Sequence, residues 1–304
     1  MDVAVVAARL VQFAAGVILF GAPLFLLYGY RGTPAEALPW PRRVLAASAA
    51  ALLVGALVSL VAQTAVMAGD PAAALDPEML TTVAGGTAFG IAILVRAGAA
   101  ALALAAALRL PSGLGLWWVG SGLGAVALAT FAWTGHGAAE PGLAGGIHAA
   151  ADVLHLLAAG VWLGALAALA LILSARWTPA PDLQATHAAL AGFSGVGSLV
   201  VAALVLTGLV NSWFLVGPER ILAMTGSAYG WLLLIKLGLF VGMLGLAAAN
   251  RFRHTPALNT ALGNGQTAVA VAELRRSIRL EAAAGLAVLG LVSALGVLAP
   301  VSAQ

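Results

Sequence analysis

Eight apolar stretches, each near the roughly 20 residues that a membrane-crossing helix needs, divide this chain from end to end. They run approximately over 4–29, 44–68, 80–107, 114–134, 147–174, 188–215, 229–250 and 280–299. Between them stand helix breakers and charges: Gly32-Thr33-Pro34, Gly69-Asp70-Pro71, Arg109-Leu110-Pro111, the glycine-rich segment 135–146, Thr178 to Asp182, Gly217-Pro218-Glu219, and the long segment 251–279. Proline removes a backbone donor and glycine adds conformational freedom, so each break ends a helix. Only 8% of the residues are charged, against roughly 25% in soluble domains. The pattern predicts an all-α polytopic membrane protein, a single bundle of about eight transmembrane helices occupying residues 1–304. The first stretch lacks a basic leader and a small-residue cleavage site, and reads as a retained span.

Basic residues fix an orientation. The odd-numbered loops hold Arg31, Arg42, Arg43, Arg109, Arg176, Arg251, Arg253, Arg275, Arg276 and Arg279, whereas the even loops hold Arg220 alone. The positive-inside rule then puts the odd loops in the cytoplasm and both termini outside. The segment 251–279 becomes a cytoplasmic loop whose basic end is expected to lie as an interfacial helix on anionic lipid. The charges are too few and too dispersed for a nucleic-acid partner. No internal repeat and no phosphate-binding glycine loop is visible. Without cysteine, disulfides and thiolate metal sites are excluded. No serine triad, zinc-protease motif or carboxylate pair points to an enzyme.

The chemistry is concentrated at the head of the fifth stretch. His148, Asp152 and His155 stand at i, i+4 and i+7, within one stripe of helix face. Ionisable groups inside membrane segments generally face a protein interior or a water-filled path. In the topology above, this stripe lies at or just below the external surface, with His155 about 10 Å deeper than His148 by helix rise. His136, between Gly135 and Gly137 at the end of the fourth stretch, adds a third imidazole. Imidazole with carboxylate suits copper, zinc, nickel or iron, Asp152 acting as ligand or as orienting partner. The alternative is that these groups only hydrogen-bond neighbouring helices.

Secondary candidates surround the stripe. Met67, Met79 and Met224 fall on the external side, and thioethers favour Cu(I), although single methionines usually serve packing. Arg96 lies mid-span in the third stretch, Lys236 reaches the depth of Asp152 in the seventh, and Asn211 with Ser212 reaches it in the sixth. Arg9 and Glu281 are further intramembrane charges, each expected to face the bundle. His187 and His254 read as solvated residues on the cytoplasmic side. Gly120, Gly122 and Gly124, and likewise Gly238, Gly242 and Gly245, are expected to permit close helix packing.

These stretches resemble the CopD/PcoD family of copper-resistance membrane proteins. The likeness is carried by Thr134-Gly135-His136-Gly137, by the run from Asp152-Val153-Leu154-His155 to Trp162-Leu163-Gly164, by Tyr229-Gly230-Trp231 through Lys236 to Ala249-Asn250-Arg251, by Ser277-Ile278-Arg279-Leu280-Glu281, and by Gly86-Thr87-Ala88-Phe89-Gly90 with Arg96. It covers most of the chain. The resemblance implies copper homeostasis in a bacterial inner membrane: a permease that takes copper, as Cu(II) or Cu(I), from periplasm to cytoplasm. It also implies a partner, the periplasmic copper carrier CopC, which would be a separate protein here because no such domain is fused. Two other readings stand beside it. One is a copper-binding sensor or assembly factor without transport. The other is a cytochrome b-type haem protein, disfavoured because His148 and His155 share one helix and a haem needs axial ligands from opposite sides.

Overall fold

The computed structural model describes residues 3–30, 38–135, 142–178 and 181–303. Among the described residues there are ten α-helices and no strand: α1 (Val3–Tyr28), α2 (Pro41–Ala68), α3 (Pro77–Gly86), α4 (Ala88–Arg109), α5 (Leu114–Ala129), α6 (Gly142–Ile172), α7 (Leu183–Leu215), α8 (Ala228–Ala249), α9 (Thr255–Asn264) and α10 (Ala268–Leu295). Eight of these rods, all but the short α3 and α9, are long and apolar enough to cross a bilayer. The chain is an all-α polytopic membrane protein.

Two of the expected boundaries move. The stretch 80–107 is not one helix, because Thr87 interrupts it. The Thr87 hydroxyl donates to the Val83 carbonyl at 2.8 Å and accepts from the Gly90 amide at 2.9 Å. It thereby closes α3 and caps α4. Hydropathy passes straight through this break, since nothing in it is charged. The stretch 251–279 is largely helical, and part of it is continuous with the last span. A π-turn over Asn250–His254 leads into α9, and α10 begins at Ala268, well before residue 280. Leu274, Ile278 and Glu281 are buried on one face of this extension, while Arg276 and Arg279 are exposed and Arg275 is half-buried. Long arginine stems are compatible with such a helix, so it runs on through the charges.

α1 occupies the centre and packs on α2, α5, α6 and α10. Its contact with α6 is backbone on backbone: a Cβ on Gly21 would collide with the Gly160 carbonyl, and one on Gly164 with the Gly21 backbone. Gly124 of α5 meets the backbone of Leu19 and Phe20 in the same manner. Small residues allow this approach, and in a bilayer close packing is the main force holding helices together. Gly122, Gly238, Gly242 and Gly245 have no neighbour within 4 Å. The close approach expected at these four positions is therefore absent.

The second half of the chain is assembled around a gap. α7 packs on α6, α8 packs on α10, and α10 packs on α6, whereas α7 meets the continuation of α8 at the π-turn and α9, where Arg251 bonds Ser194 and Ser198. The space between α7 and α8 is lined by α6 behind and by those two helices at the sides. Basic side chains gather at one end of the bundle. There Arg42 donates to the carbonyls of Ala107 and Leu108 at 2.6 and 2.7 Å, and Arg275 to that of Leu173 at 2.7 Å. These carbonyls end α4 and α6, where helices leave acceptors unused and attract positive charge.

Candidate metal-binding cleft

Toward the opposite end of these helices, the α6 stripe meets a matching stripe of α7. His148 stacks on Phe214 with ring centroids 4.6 Å apart and planes 8° from parallel. Asp152 accepts from the Asn211 amide at 3.3 Å. His155 Nδ1 lies 2.9 Å from the Thr207 hydroxyl. The helices are antiparallel, so 148, 152 and 155 descend as 214, 211 and 207 ascend. The result is three successive rungs. Gly208 lies beside the His155 ring, where a Cβ would make ordinary van der Waals contact with the imidazole at 3.6 Å.

The lowest rung fixes a tautomer. Thr207 has one hydroxyl proton and donates it to the Ala203 carbonyl at 2.6 Å. Its oxygen is then an acceptor for His155, so Nδ1 carries the hydrogen and Nε2 presents a lone pair. At the top rung His148 is only 3% exposed, and its Nδ1 has no protein partner. In the middle rung Asn211 Oδ1 is likewise buried and unpartnered. Buried polar atoms are normally satisfied, so two orphans on one pair of facing helices fit a ligand that accepts lone pairs.

The stripe is a ladder and not a chelate. His148 and His155 are separated by about 10 Å of helix rise. Among the described residues no three His, Asp or Glu side chains group so as to hold a metal ion. His136, the fourth member expected from the sequence, lies outside the described residues.

The secondary candidates divide. From α8, Lys236 stands in electrostatic range of both Asp152 and His155, and Tyr229 in range of Asp152. Lys236 makes no ion pair within 4 Å of Asp152. Met224 packs beside Tyr229 and Leu233 at this same end. Met67 and Met79 belong to α2 and α3, on the far side of α1, and do not join the ladder. Arg96 does not join it either. It is 2% exposed and sits over the Phe131 ring at 3.6 Å. Its three nitrogens donate to Thr130 at 2.9 Å, Gln12 at 3.1 Å and Thr134 at 3.0 Å. A guanidinium so committed offers no lone pair and ties α4 to α1 and the end of α5. His254 is not simply solvated: its Nδ1 lies 3.8 Å from the Glu273 carboxylate.

The sequence does not single out Thr207 or Phe214, and marks Tyr229 only as part of the run that carries the resemblance. The signal was available for the first two, since Thr207, Asn211 and Phe214 repeat on α7 the i, i+4, i+7 spacing of the α6 stripe. It went unread because threonine and phenylalanine are unremarkable in an apolar helix.

Residues 1–147 match the family description "Copper resistance protein D-like, N-terminal domain", and residues 187–295 match "Copper resistance protein D". The three α6 rungs fall between these matched segments. Among curated proteins, the chain is 41% identical over 305 aligned residues to "Copper resistance protein D" of Pseudomonas syringae pv. tomato, covering 97% of this chain and 96% of that protein. It is 32% identical over 246 residues to "Copper transport protein CutJ" of Bacillus subtilis (strain 168), covering 79% of this chain and 44% of that protein. No solved structure matches the chain. With a relative of this identity aligned along nearly its whole length, and both halves fitting the same family, the chain belongs to the copper resistance protein D family of multi-pass membrane proteins.

Proposed function

We propose that this protein is a copper permease that accepts copper at the His148 end of the α7–α8 gap and passes it toward the arginine-rich end. The observation that carries this reading is the ladder itself. It aligns His148 Nδ1, Asn211 Oδ1, Asp152 and His155 Nε2 along the facing stripes of α6 and α7, with two of those atoms buried and lacking any protein partner. The ten-to-one arginine split supports an orientation in a bacterial inner membrane with the ladder facing the periplasm and the arginines facing the cytoplasm, resting on anionic lipid. Transport then runs inward.

Under this reading His136, His148, Asp152 and His155 receive the ion, His136 from the segment joining α5 to α6. Nitrogen and oxygen donors suit Cu(II), and Met224 beside Tyr229 offers a thioether to Cu(I). Because the donors lie on successive turns, the ion is held by few ligands at a time and moves between rungs. Weak, sequential sites favour passage over trapping. Lys236 neutralises Asp152 when no cargo is present and yields when a cation arrives. A separate periplasmic carrier delivers the copper. The work done is movement of an ion and not a bond-making reaction.

Isotopic copper uptake into sealed vesicles tests the proposal. Wild-type protein is expected to carry copper inward, and His155→Ala to slow uptake at least about tenfold and to lower the copper retained on purified protein. Binding without flux in the wild type would replace transport by sensing or assembly. Unchanged uptake and binding in His155→Ala would remove the ladder from the mechanism.

A further inference from the structure

The α6 stripe does not stop at His155. Seven residues further along, Trp162 stands on the same face, edge-on to Phe240 of α8 with centroids 6.0 Å apart. Its indole N–H donates at 2.7 Å to Oε1 of Glu281, and the Asn250 amide donates at 2.7 Å to Oε2. Glu281 is 1% exposed and has no cationic partner within 4 Å.

On the arginine side of this aromatic pair opens a cavity of about 340 Å³, walled by α6, α7, α8 and α10. Its polar lining is Glu281, Asn250, Ser194, Ser198, Thr255 and Arg251. Asn250 is 7% exposed, and its Oδ1 has no protein partner. The charged groups are few. α6 and α7 bring none, α10 brings Glu281, and α8 with its π-turn brings Arg251. Arg251 is exposed at the rim, where it donates to the Ser194 carbonyl at 3.3 Å and the Ser198 hydroxyl at 2.8 Å. His254, further along the turn, faces Glu273 at 3.8 Å.

The donor set differs in kind from the ladder. No histidine, methionine or cysteine lines this cavity. Carboxylate, amide oxygen and hydroxyls suit hard cations, and the softer metals choose nitrogen and sulfur. One buried carboxylate balances one positive charge, and a divalent ion would leave a charge uncompensated in a low-dielectric interior. We propose that the Glu281 cavity is a second site, for a hard monovalent cation, either a proton carried on Glu281 or Na⁺ held among its oxygens, and that this ion is coupled to movement of cargo along the cleft above. The coupling rests on the transport reading, whereas the cation site does not.

Trp162 is a built-in reporter, because it is bonded to the carboxylate concerned. The full chain, free of copper and labelled with 5-fluorotryptophan, gives a ¹⁹F resonance for Trp162 that Trp162→Phe identifies by its loss. This resonance is expected to shift on titration with protons or with Na⁺, and not to shift in Glu281→Gln. A response to protons alone names the proton, and one to Na⁺ alone names sodium. Silence toward both, or a response that survives in Glu281→Gln, overturns the site. Where Glu281→Gln does not fold, Asn250→Ala serves, with an expected shift of the midpoint of at least about tenfold, and an unmoved midpoint overturns the site equally. In liposomes, an imposed gradient of the identified ion is expected to accelerate copper flux in wild type only. Wild-type flux indifferent to that gradient overturns the coupling while the fluorine titration still judges the site. Absence of any wild-type copper flux overturns the transport reading and the coupling together.

Discussion

His155 and Thr207 face each other across α6 and α7 at 2.9 Å, and this pair decides which imidazole nitrogen is available. Thr207→Val keeps the shape and removes the acceptor, leaving Nδ1–H unpaired and the ring free to turn. Loss of such an orienting partner typically costs about 10–100-fold in metal affinity. Copper affinity by competition titration is expected to fall by that amount, and Thr207→Ser to restore it. An unchanged affinity in Thr207→Val would mean that Nε2 is not a ligand.

Lys236 places a positive charge in range of Asp152 and His155. Lys236→Met removes the charge that competes with an arriving cation. Copper binding is expected to tighten by about tenfold, equivalent to about 1.4 kcal/mol. Turnover in vesicles is expected to fall, because nothing then displaces the ion from Asp152. Weaker binding in Lys236→Met would refute this role.

Arg96 is expected to matter for stability and not for copper. Arg96→Lys keeps the charge but cannot span Thr130, Gln12 and Thr134 together. Each lost charge-assisted bond costs about 1.5–3 kcal/mol. A lowered melting temperature in detergent with unaltered copper titration is the expected outcome. A copper defect without a stability defect would return Arg96 to the site.

Two glycines that look alike in the sequence are expected to behave oppositely. Gly164→Val drives a side chain into the Gly21 backbone, and overpacking costs about 1–3 kcal/mol or more. Gly242→Ala adds a Cβ that meets nothing within 4 Å and is expected to change stability by no more than about 0.5 kcal/mol. Thermal unfolding of the two variants side by side checks both.

The sequence was legible where its physics is one-dimensional. Apolar length located the eight spans, and 3.6-residue periodicity put His148, Asp152 and His155 on one face. It failed where a single uncharged residue decides the backbone, as Thr87 does, because hydropathy averages over it. The sequence marks the basic run Arg275, Arg276 and Arg279 as helical but does not show that it is continuous with the last span, because a long arginine stem lets one helix run through. The site was half visible. One stripe can be read from one helix, but which residues oppose it depends on which helix packs there. Thr207 and Phe214 gain meaning only once α7 is known to run antiparallel to α6. The Trp162–Glu281–Asn250 cluster draws residues from three distant segments; Trp162 and Asn250 stand in the runs that carry the resemblance, and only Glu281 shows its chemistry there, as a charge without an evident partner.

The crossing of Gly21 with Gly160 and Gly164 has a mechanical consequence. Where backbone rests on backbone there are no side-chain rotamers to exchange, so this joint has no second setting. α1 and α6 form the stator of the molecule. α7 and α8 are seated mainly on different neighbours, α6 and α10, and are joined at the arginine end through Arg251 to Ser194 and Ser198. A cross-link fastening α1 to α6 is expected to leave copper flux intact, and one fastening α7 to α8 to stop it.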